Sequence, residues 1–271
     1  LWYNMNSWVN ISDWLEVKVS GSQTIEYLNG IITRDITLIN NDEFVRSAFL
    51  THKGKIKSVF WVTKNQQNEF LLFCHPIMKN NLIEDLLKYK LNMDVKLEDI
   101  SSDTDDLYLV NSDKLIQGLY FGDSYLVFQH SKNKPKGNEI NQSKFNSILI
   151  QNGILPSQFM IDLNPIETGV FDMIDLDKGC FLGQEPVSRM YHRGNPRKYL
   201  YHLQIDPDQS IDKNSPIKIG NDIIGNLIAV HQNHAIGFIN RQVNEFNNIQ
   251  ILNQKISYIS KVGNYPIYNR K

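Results

Sequence analysis

The sequence has few cysteines and no long apolar run, and each shortage excludes a class of protein. Only two cysteines, Cys74 and Cys180, occur in 271 residues, and their separation matches neither a disulfide framework nor a zinc-ligand pattern. We therefore expect free thiols in a reducing compartment, the cytoplasm. No apolar stretch approaches the roughly 18 residues that a membrane-spanning helix needs, and residues 1–5 lack the features of a signal peptide. The sequence thus predicts no membrane association.

An excess of charge of either sign is also missing. The 28 Lys and Arg residues and the 29 Asp and Glu residues give a formal net charge of -1. Because no global basic field exists, we predict no direct nucleic-acid partner. With 41% hydrophobic and 21% charged residues, the composition is that of a folded globular protein that can bury a sizeable core.

The first part of the chain mixes strand and helix patterns. Ser22 is a candidate N-cap of a helix that runs to Leu28 and is closed by Asn29-Gly30. Residues 51–55 are typical of a hairpin turn between two strands. These patterns predict an α+β unit over residues 1–105. Its other predicted elements are a strand with its turn over residues 8–19, strands over 44–50, 56–63 and 70–74, and a helix over 78–89.

A second α+β unit is predicted over residues 106–198, and a small β-barrel over 199–271. In the second unit, residues 131–141 are polar and predict a loop before a helix. The barrel is indicated by short apolar runs at regular spacing. The predicted strands of the two parts cover residues 107–110, 118–121, 125–129, 199–205, 216–219, 223–230, 235–239, 249–252 and 255–260.

The segment over residues 178–189 carries the most chemical information. Gly179 and Gly183 bracket a cysteine and two large apolar residues, and glycines allow the positive φ of a tight turn. Such a turn can present Cys180 at the surface of a cleft. Lys178 and Arg189 can place positive charge near the thiol, which raises the thiolate fraction of a cysteine. The alternative is that Cys180 is a small buried hydrophobe, which is common for an isolated cysteine.

The segment resembles a known signature. Lys-Gly-Cys-Phe-x-Gly-Gln-Glu, followed by Val187 and Arg189, is similar to the K-G-C-Y-x-G-Q-E-x-x-x-R motif of the YgfZ-like folate-binding proteins, which are related to the T-protein of glycine cleavage. Phe181 replaces the family's tyrosine. The continuation at Arg193-Gly194 and Arg197 also resembles the family. Weaker similarities lie in residues 28–30 with Thr33 and Asp35, in Ala48, Leu50 and residues 53–55, and in residues 164–169, 223–226 and 235–237.

The resemblance implies the T-protein fold, with two α+β units and a C-terminal β-barrel around a central folate cavity. It also implies a protein that binds tetrahydrofolate and supports assembly or repair of iron–sulfur clusters in client proteins, including enzymes of tRNA modification. Cys180 would be the reactive or ligating thiol, in transient contact with a cluster. Lys178 and Arg189 would tune it or meet an anionic partner, and Gln184 would shape the loop or touch the ligand. We expect an accessory factor rather than a turnover enzyme, with no metal site of its own.

Folate contacts are predicted from the same resemblance. Gln151 stands where T-proteins place a glutamate that anchors the pterin, and it keeps an acceptor while losing the charge. Glu185 offers a hydrogen-bond partner for a polar ring. Lys53, Lys55 and Arg193 can meet the glutamates of the folate tail, although each can equally be a solvated surface charge.

Aminomethyl transfer of the T-protein type is the alternative function. The hairpin of T-proteins carries two acidic residues, one of which acts on the substrate amine, and here Lys57 and Ser58 stand in their place. A lysine cannot supply that carboxylate. A third reading is a purely structural module whose cavity binds nothing. Glu167 and Asp172 either face the cavity or pair with Lys178 or Arg189.

Overall fold

The computed structural model describes residues 7–65, 67, 69–112, 119–121, 124–194, 196–205, 211–252 and 254–262. Within these ranges the chain forms four α-helices: α1 (Thr24–Ile31), α2 (Lys79–Lys88), α3 (Gln142–Gln151) and α4 (Gln184–Arg193). The strands are β1 (Ser7–Asn10), β2 (Leu15–Ser20), β3 (Val45–Leu50), β4 (Ile56–Lys64), β5 (Phe70–Cys74), β6 (Lys96–Asp99), β7 (Leu107–Ser112), β8 (Leu119–Phe121), β9 (Ser124–His130), β10 (Asn138–Ile140), β11 (Lys198–Gln204), β12 (Pro216–Ile219), β13 (Asp222–His231), β14 (His234–Asn240), β15 (Ile249–Ile251), β16 (Gln254–Lys255) and β17 (Tyr258–Lys261).

The chain divides into two compact units. The first comprises residues 1–145 and 172–184, and the second comprises residues 146–171 and 185–271. The mixture of sheets and helices confirms the α+β class. The domain boundaries predicted after residues 105 and 198 stay a prediction, as does a central folate cavity.

The first unit contains two five-stranded sheets. One has the order β3-β4-β5-β2-β6, and the other has the order β10-β1-β7-β9-β8. Neighbouring strands are antiparallel except β1 and β10, which pair in parallel. The prediction of one strand over residues 8–19 was wrong, because β1 and β2 belong to different sheets. Between them the chain turns, with the Trp14 amide donating to the Ile11 carbonyl at 2.9 Å.

Aromatic side chains join the two sheets of the first unit. Phe128 on β9 stacks on Phe44 with ring centroids 4.9 Å apart, and lies 5.1 Å from Phe73 on β5. Large aromatic rings bury much apolar area, so this cluster contributes strongly to the core. A polar contact lies beside it, since Nε2 of His130 is 2.8 Å from a carboxylate oxygen of buried Glu16.

Helix α1 begins and ends differently from the prediction. Ser22 does not cap the helix, because its hydroxyl donates to Asp94 at 2.6 Å and N-cap Gln23 makes no capping bond. Asn29 and Gly30 lie inside the helix, which continues to Ile31. Buried Tyr27 ties α1 to α2 by donating to the Leu86 carbonyl at 2.6 Å, and burial raises its pKa well above the usual value.

The second unit is built on a seven-stranded antiparallel sheet of order β16-β15-β12-β13-β14-β11-β17. The sheet curls into a half-barrel, which agrees with the small β-barrel predicted for this part of the chain. Its end strands pair only with β15 and β11 in the part of the chain described. Gly225 permits the close approach of β13 to β14, because a Cβ there would meet the Phe238 carbonyl oxygen. The predicted strand over 255–260 is two strands, and the predicted loop over 131–141 contains β10.

Candidate functional site

The turn that precedes α4 belongs to the first unit and presents Cys180. Cys180 is exposed, whereas its neighbour Phe181 is buried. The Leu182 amide donates to the Gly30 carbonyl on α1 at 3.0 Å, and the Gln184 amide donates to the Phe181 carbonyl at 3.1 Å. The chain therefore turns around a buried ring and leaves the thiol facing outward, which agrees with the prediction of a surface cysteine.

Lys178 fixes the first side of this turn. Its ammonium donates to the carbonyls of Ile32 at 2.9 Å and Arg34 at 2.7 Å, just beyond the end of α1. The same Nζ atom lies 5.3 Å from the centroid of the Phe181 ring. Lys178 thus satisfies backbone carbonyls of the segment that follows α1. These contacts are with carbonyl groups, so the tuning of the thiol by Lys178 stays a prediction.

Burial is the main influence on the pKa of the Lys178 ammonium. Desolvation lowers the pKa of Lys178 from 10.5 to about 8, because water stabilises the charged form better than the protein interior does. The carboxylates of Asp35 and Asp175 oppose this change, and the charge of Arg34 adds to it. At neutral pH the side chain is therefore a charged donor that is held at an energetic cost.

Gly183 fixes the second side of the turn. Its φ is +78°, a conformation that favours glycine, and a Cβ there would lie 2.4 Å from the Thr51 carbonyl oxygen. The contact is with the hairpin between β3 and β4, in which the Gly54 amide donates to the Thr51 carbonyl at 2.9 Å. The structure thus brings the predicted hairpin, which carries Lys53 and Lys55, against the turn of Cys180. Lys53 is exposed and Lys55 is half-buried.

Asp175 supports the same region and was not singled out from the sequence. Its carboxylate accepts from the Arg34 guanidinium at 2.8 Å and from the Asp35 amide at 2.7 Å. Its own amide donates to the Thr33 carbonyl at 3.0 Å. These bonds hold the segment before Lys178 against the residues that follow α1. A sequence pattern offers no sign of them, because the partners are about 140 residues apart.

The two cysteines differ sharply. Cys74 has no exposed surface, and burial raises its pKa to about 12. Its thiol contacts the Val59 carbonyl at 3.7 Å, within the sheet of the first unit. The prediction that Cys74 is a core residue is confirmed, and Cys180 is the accessible thiol of the pair.

Four predicted site residues lie in the second unit. Gln151 ends α3 and is half-buried. Glu185 and Arg189 form an i,i+4 ion pair on α4 at 2.6 Å, with 81% and 69% of their side chains exposed. Arg193 ends α4 and lines a pocket together with Arg189. The ligands predicted for these residues stay a prediction.

Glu167 and Asp172 have partners other than those expected. The Glu167 carboxylate accepts from the Asn164 amide at 2.7 Å in a capping box of the 3₁₀ helix Pro165–Thr168. Asp172 accepts from the Arg46 guanidinium at 2.8 Å. Both contacts are structural, and Asp172 pairs with Arg46 rather than with Lys178 or Arg189, which was one of the two alternatives predicted for it.

Lys57 and Ser58, which the resemblance places where T-proteins carry two acidic residues, face different surroundings. Lys57 lies on β4 and forms a 2.6 Å ion pair with buried Asp85 of α2, which also contacts Lys88. Burial alone would raise the pKa of Asp85, but hydrogen bonds from Lys57 and Lys88 outweigh it and lower the pKa. Ser58 is buried within β4. The Lys57 side chain is thus committed to a structural ion pair.

A histidine pair in the second unit was not predicted. Nε2 of His202 lies 3.0 Å from Nδ1 of His234, and the rings are nearly parallel. Burial is the main cause that lowers the pKa of each histidine. The charge of His234 lowers the pKa of His202 further, and the charge of His231 lowers that of His234 further. One nitrogen must donate and the other accept, so at least one ring is neutral. The pair forms across strands β11 and β14, a placement that sequence spacing does not reveal.

Two features are absent from the described residues. Among the described residues, no helix has the length and apolarity needed to cross a membrane. The same residues include no group of three or more His, Cys, Asp or Glu side chains arranged to hold a metal ion.

Comparison with known proteins agrees with the resemblance seen in the sequence. No family model matches the chain. The chain is 24% identical over 246 residues to the tRNA-modifying protein YgfZ of Colwellia psychrerythraea, covering 78% of this chain and 75% of the relative. It is 26% identical over 231 residues to the protein of that name from Hamiltonella defensa, covering 71% and 68%.

The fold is that of an aminomethyltransferase. The glycine cleavage system aminomethyltransferase T from Bartonella henselae superposes with a TM-score of 0.77 over 97% of this chain and 86% of that one, at 14% identity. The predicted T-protein-like α+β fold is confirmed. The chain is therefore similar in sequence to YgfZ proteins and in fold to the T-proteins.

Proposed function

We propose that this protein binds reduced folate and supports assembly or repair of iron–sulfur clusters in client enzymes of the cytoplasm, with Cys180 as its working thiol. The observation that carries the proposal is an exposed cysteine on a turn that is fixed on both sides. Lys178 anchors the turn to the end of α1, and Gly183 anchors it to the β3–β4 hairpin. The sequence similarity to YgfZ proteins supports the same function.

The contrast between the cysteines supports a chemical role for Cys180. A cysteine that serves packing is normally buried, as Cys74 is. Cys180 is exposed, yet the turn around it is held by hydrogen bonds to residues roughly 145 positions away. A fixed and accessible thiol suits contact with a macromolecular client or its cluster.

The number of thiols limits what Cys180 does with a cluster. Iron–sulfur clusters are generally held by four cysteines, whereas this chain contains two. Cys74 is enclosed in the sheet with its pKa raised to about 12, so it does not supply a ready thiolate. We infer that Cys180 offers a single ligand or nucleophile to a cluster that a client holds, and that the cluster is cargo rather than a resident cofactor.

The chemistry of the available side chains fits a folate. A pterin presents an amide-like edge, and the half-buried amide of Gln151 offers both a donor and acceptors for it. The tail of a folate carries carboxylates, which suit the guanidinium of Arg193 and the ammonium groups of Lys53 and Lys55. The folate itself would supply one-carbon or redox chemistry, and the protein would hold and orient it.

Aminomethyl transfer remains the weaker candidate. The position at which T-proteins are expected to carry a catalytic carboxylate holds Lys57, whose ammonium is paired with Asp85. A cation in a structural ion pair does not act as a base on a substrate amine. The likeness to an aminomethyltransferase concerns the fold, and fold alone does not carry an activity.

Calorimetric titration tests the folate part of the proposal. Tetrahydrofolate is titrated into the wild type, Cys180→Ala and Gln151→Leu, under anaerobic conditions. We expect binding to the wild type and to Cys180→Ala, and weaker binding by about tenfold to Gln151→Leu because one pterin hydrogen bond is lost. Lack of binding to the wild type would overturn the folate part. Unchanged binding to Gln151→Leu would remove Gln151 from the site.

A further inference from the structure

The second unit contains a pocket of about 650 Å³ with an unusual lining. Pro186, Arg189, Met190 and Arg193 line it from α4. These residues lie at positions i, i+3, i+4 and i+7, so they share one face of the helix. Arg197, at the entry to β11, adds a third guanidinium. The pocket therefore combines three cations with the apolar side chains of a proline and a methionine.

The arginines are not all neutralised by neighbouring carboxylates. Arg189 forms its ion pair with Glu185 near the start of α4. Arg193 and Arg197 form no ion pair with any residue in the described ranges. A guanidinium carries five donors in a planar fork that matches the two oxygens of a carboxylate or phosphate. The pocket thus has unfilled donors for an anionic ligand.

A carboxylate in the pocket lining limits which class of anionic ligand the pocket can bind. Glu167 borders the pocket, and its carboxylate is held by the Asn164 amide at 2.7 Å. A fixed negative charge disfavours a ligand that presents only phosphate oxygens. It favours a ligand that also carries amide N–H donors. Pro186 and Met190 favour methylene groups between the charges.

We propose that this arginine pocket binds an oligoglutamyl chain. Its carboxylates lie against Arg193 and Arg197, its amide N–H groups face Glu167, and its methylene groups contact Met190. Two sources share this chemistry: the γ-linked glutamate tail of a folate and an acidic α-linked segment of a client protein. The first source rests on the proposed folate function, which the inference extends by giving the tail a binding site. The second source does not depend on it.

The first experiment uses peptides and the full chain. γ-Linked pentaglutamate, α-linked pentaglutamate, free glutamate and pyrophosphate are titrated into the wild type, Arg193→Gln, Arg197→Gln and the control Lys213→Gln. Lys213 is an exposed cation of the same unit that does not line the pocket. We expect a pentaglutamate to bind at least tenfold more tightly than glutamate. Arg193→Gln and Arg197→Gln should each weaken pentaglutamate binding about tenfold, because each removes one charge-assisted hydrogen bond.

The Lys213→Gln control distinguishes binding in the pocket from general attraction of an anion to a basic surface. Lys213→Gln should change the affinity less than twofold. The proposal is overturned if all three variants weaken binding equally, or if pyrophosphate binds more tightly than both pentaglutamates. Preference for the γ-linked or the α-linked peptide identifies the source of the chain.

A second titration distinguishes failure of this inference from failure of the folate proposal. Tetrahydrofolate with one glutamate is compared with tetrahydrofolate with five. If the form with five glutamates binds more tightly to the wild type, and Arg193→Gln removes this difference, the result supports both the folate proposal and the γ-linked source. Equal binding of the two forms overturns the γ-linked source while the folate proposal stands. Binding of a free pentaglutamate without binding of either folate leaves the pocket in place and assigns it to an acidic peptide. No binding of any of these ligands overturns both proposals.

Discussion

The signature segment falls into two parts that the protein holds in different ways. In the first, Lys178 and Gly183 make close contacts with the end of α1 and with the β3–β4 hairpin. In the second, Arg189 and Glu185 pair with each other on an exposed face of α4. Both parts contain basic residues, but burial gives them different tasks. The first part is a fixed support for one thiol, and the second carries an exposed ion pair.

The largest effect should come from breaking the fixed part at Gly183. Gly183→Ala places a Cβ against the Thr51 carbonyl at a φ that alanine disfavours. We expect a loss of about 3 kcal/mol in the free energy of unfolding, from backbone strain and overpacking together. Urea unfolding followed by tryptophan fluorescence measures it.

Gly179 provides the matched control, since it lies in the same turn. A Cβ at Gly179 meets no atom within 4 Å, and its φ lies outside the left-handed region. Gly179→Ala should therefore change the free energy of unfolding by less than about 0.5 kcal/mol. Equal losses in the two variants would show that the turn is not anchored at Gly183.

Lys178 and Arg189, the two cations of the segment, should differ in their contributions to the free energy of unfolding, and this effect is smaller. Lys178→Met leaves the Ile32 and Arg34 carbonyls without their donor, while removing the cost of burying the charge. We expect a net loss of about 1 kcal/mol at pH 7. Arg189→Met removes only an exposed ion pair and should have no measurable effect on urea unfolding. A larger loss in Arg189→Met than in Lys178→Met would reverse the comparison.

A pH dependence of stability sharpens the role of Lys178. Its pKa is about 8 in the folded protein, against an ordinary value of 10.5. Between these values the unfolded chain keeps a proton that the folded protein has released, so the contribution of Lys178 to stability rises with pH. The stability of the wild type relative to Lys178→Met should increase from pH 8 to pH 10. A decrease over that range would contradict the burial of the ammonium.

Much of the fold follows from local sequence patterns. The hairpin strands β3 and β4, strand β5 and helix α2 match their predicted positions closely, because each has a clear apolar period and lies beside its partner along the chain. The three-residue strand β10 could not be predicted. Two of its three residues are polar, and its partner β1 lies about 130 positions earlier. The split between β1 and β2 was missed because apolar residues continue through the turn that joins them.

The site shows the same limit. The exposure of Cys180 follows from its two flanking glycines and from the resemblance to a known motif. The hydrogen-bond partners of the Lys178 ammonium could not be predicted, because they are backbone carbonyls of the chain after α1. Every residue has such a carbonyl, so a sequence pattern does not identify the ones that accept. Asp175 was overlooked for the same reason, and the arginine pocket required the helical phase of α4, which sequence periodicity alone did not establish.

The most direct test of the central claim compares the two cysteines in cells that lack this protein. The cells are complemented with the wild type, Cys180→Ser or Cys74→Ala at matched expression, and the specific activity of iron–sulfur enzymes is measured. We predict that Cys180→Ser gives the activity of uncomplemented cells, whereas the wild type and Cys74→Ala restore it. Full restoration by Cys180→Ser would contradict a working role for the thiol.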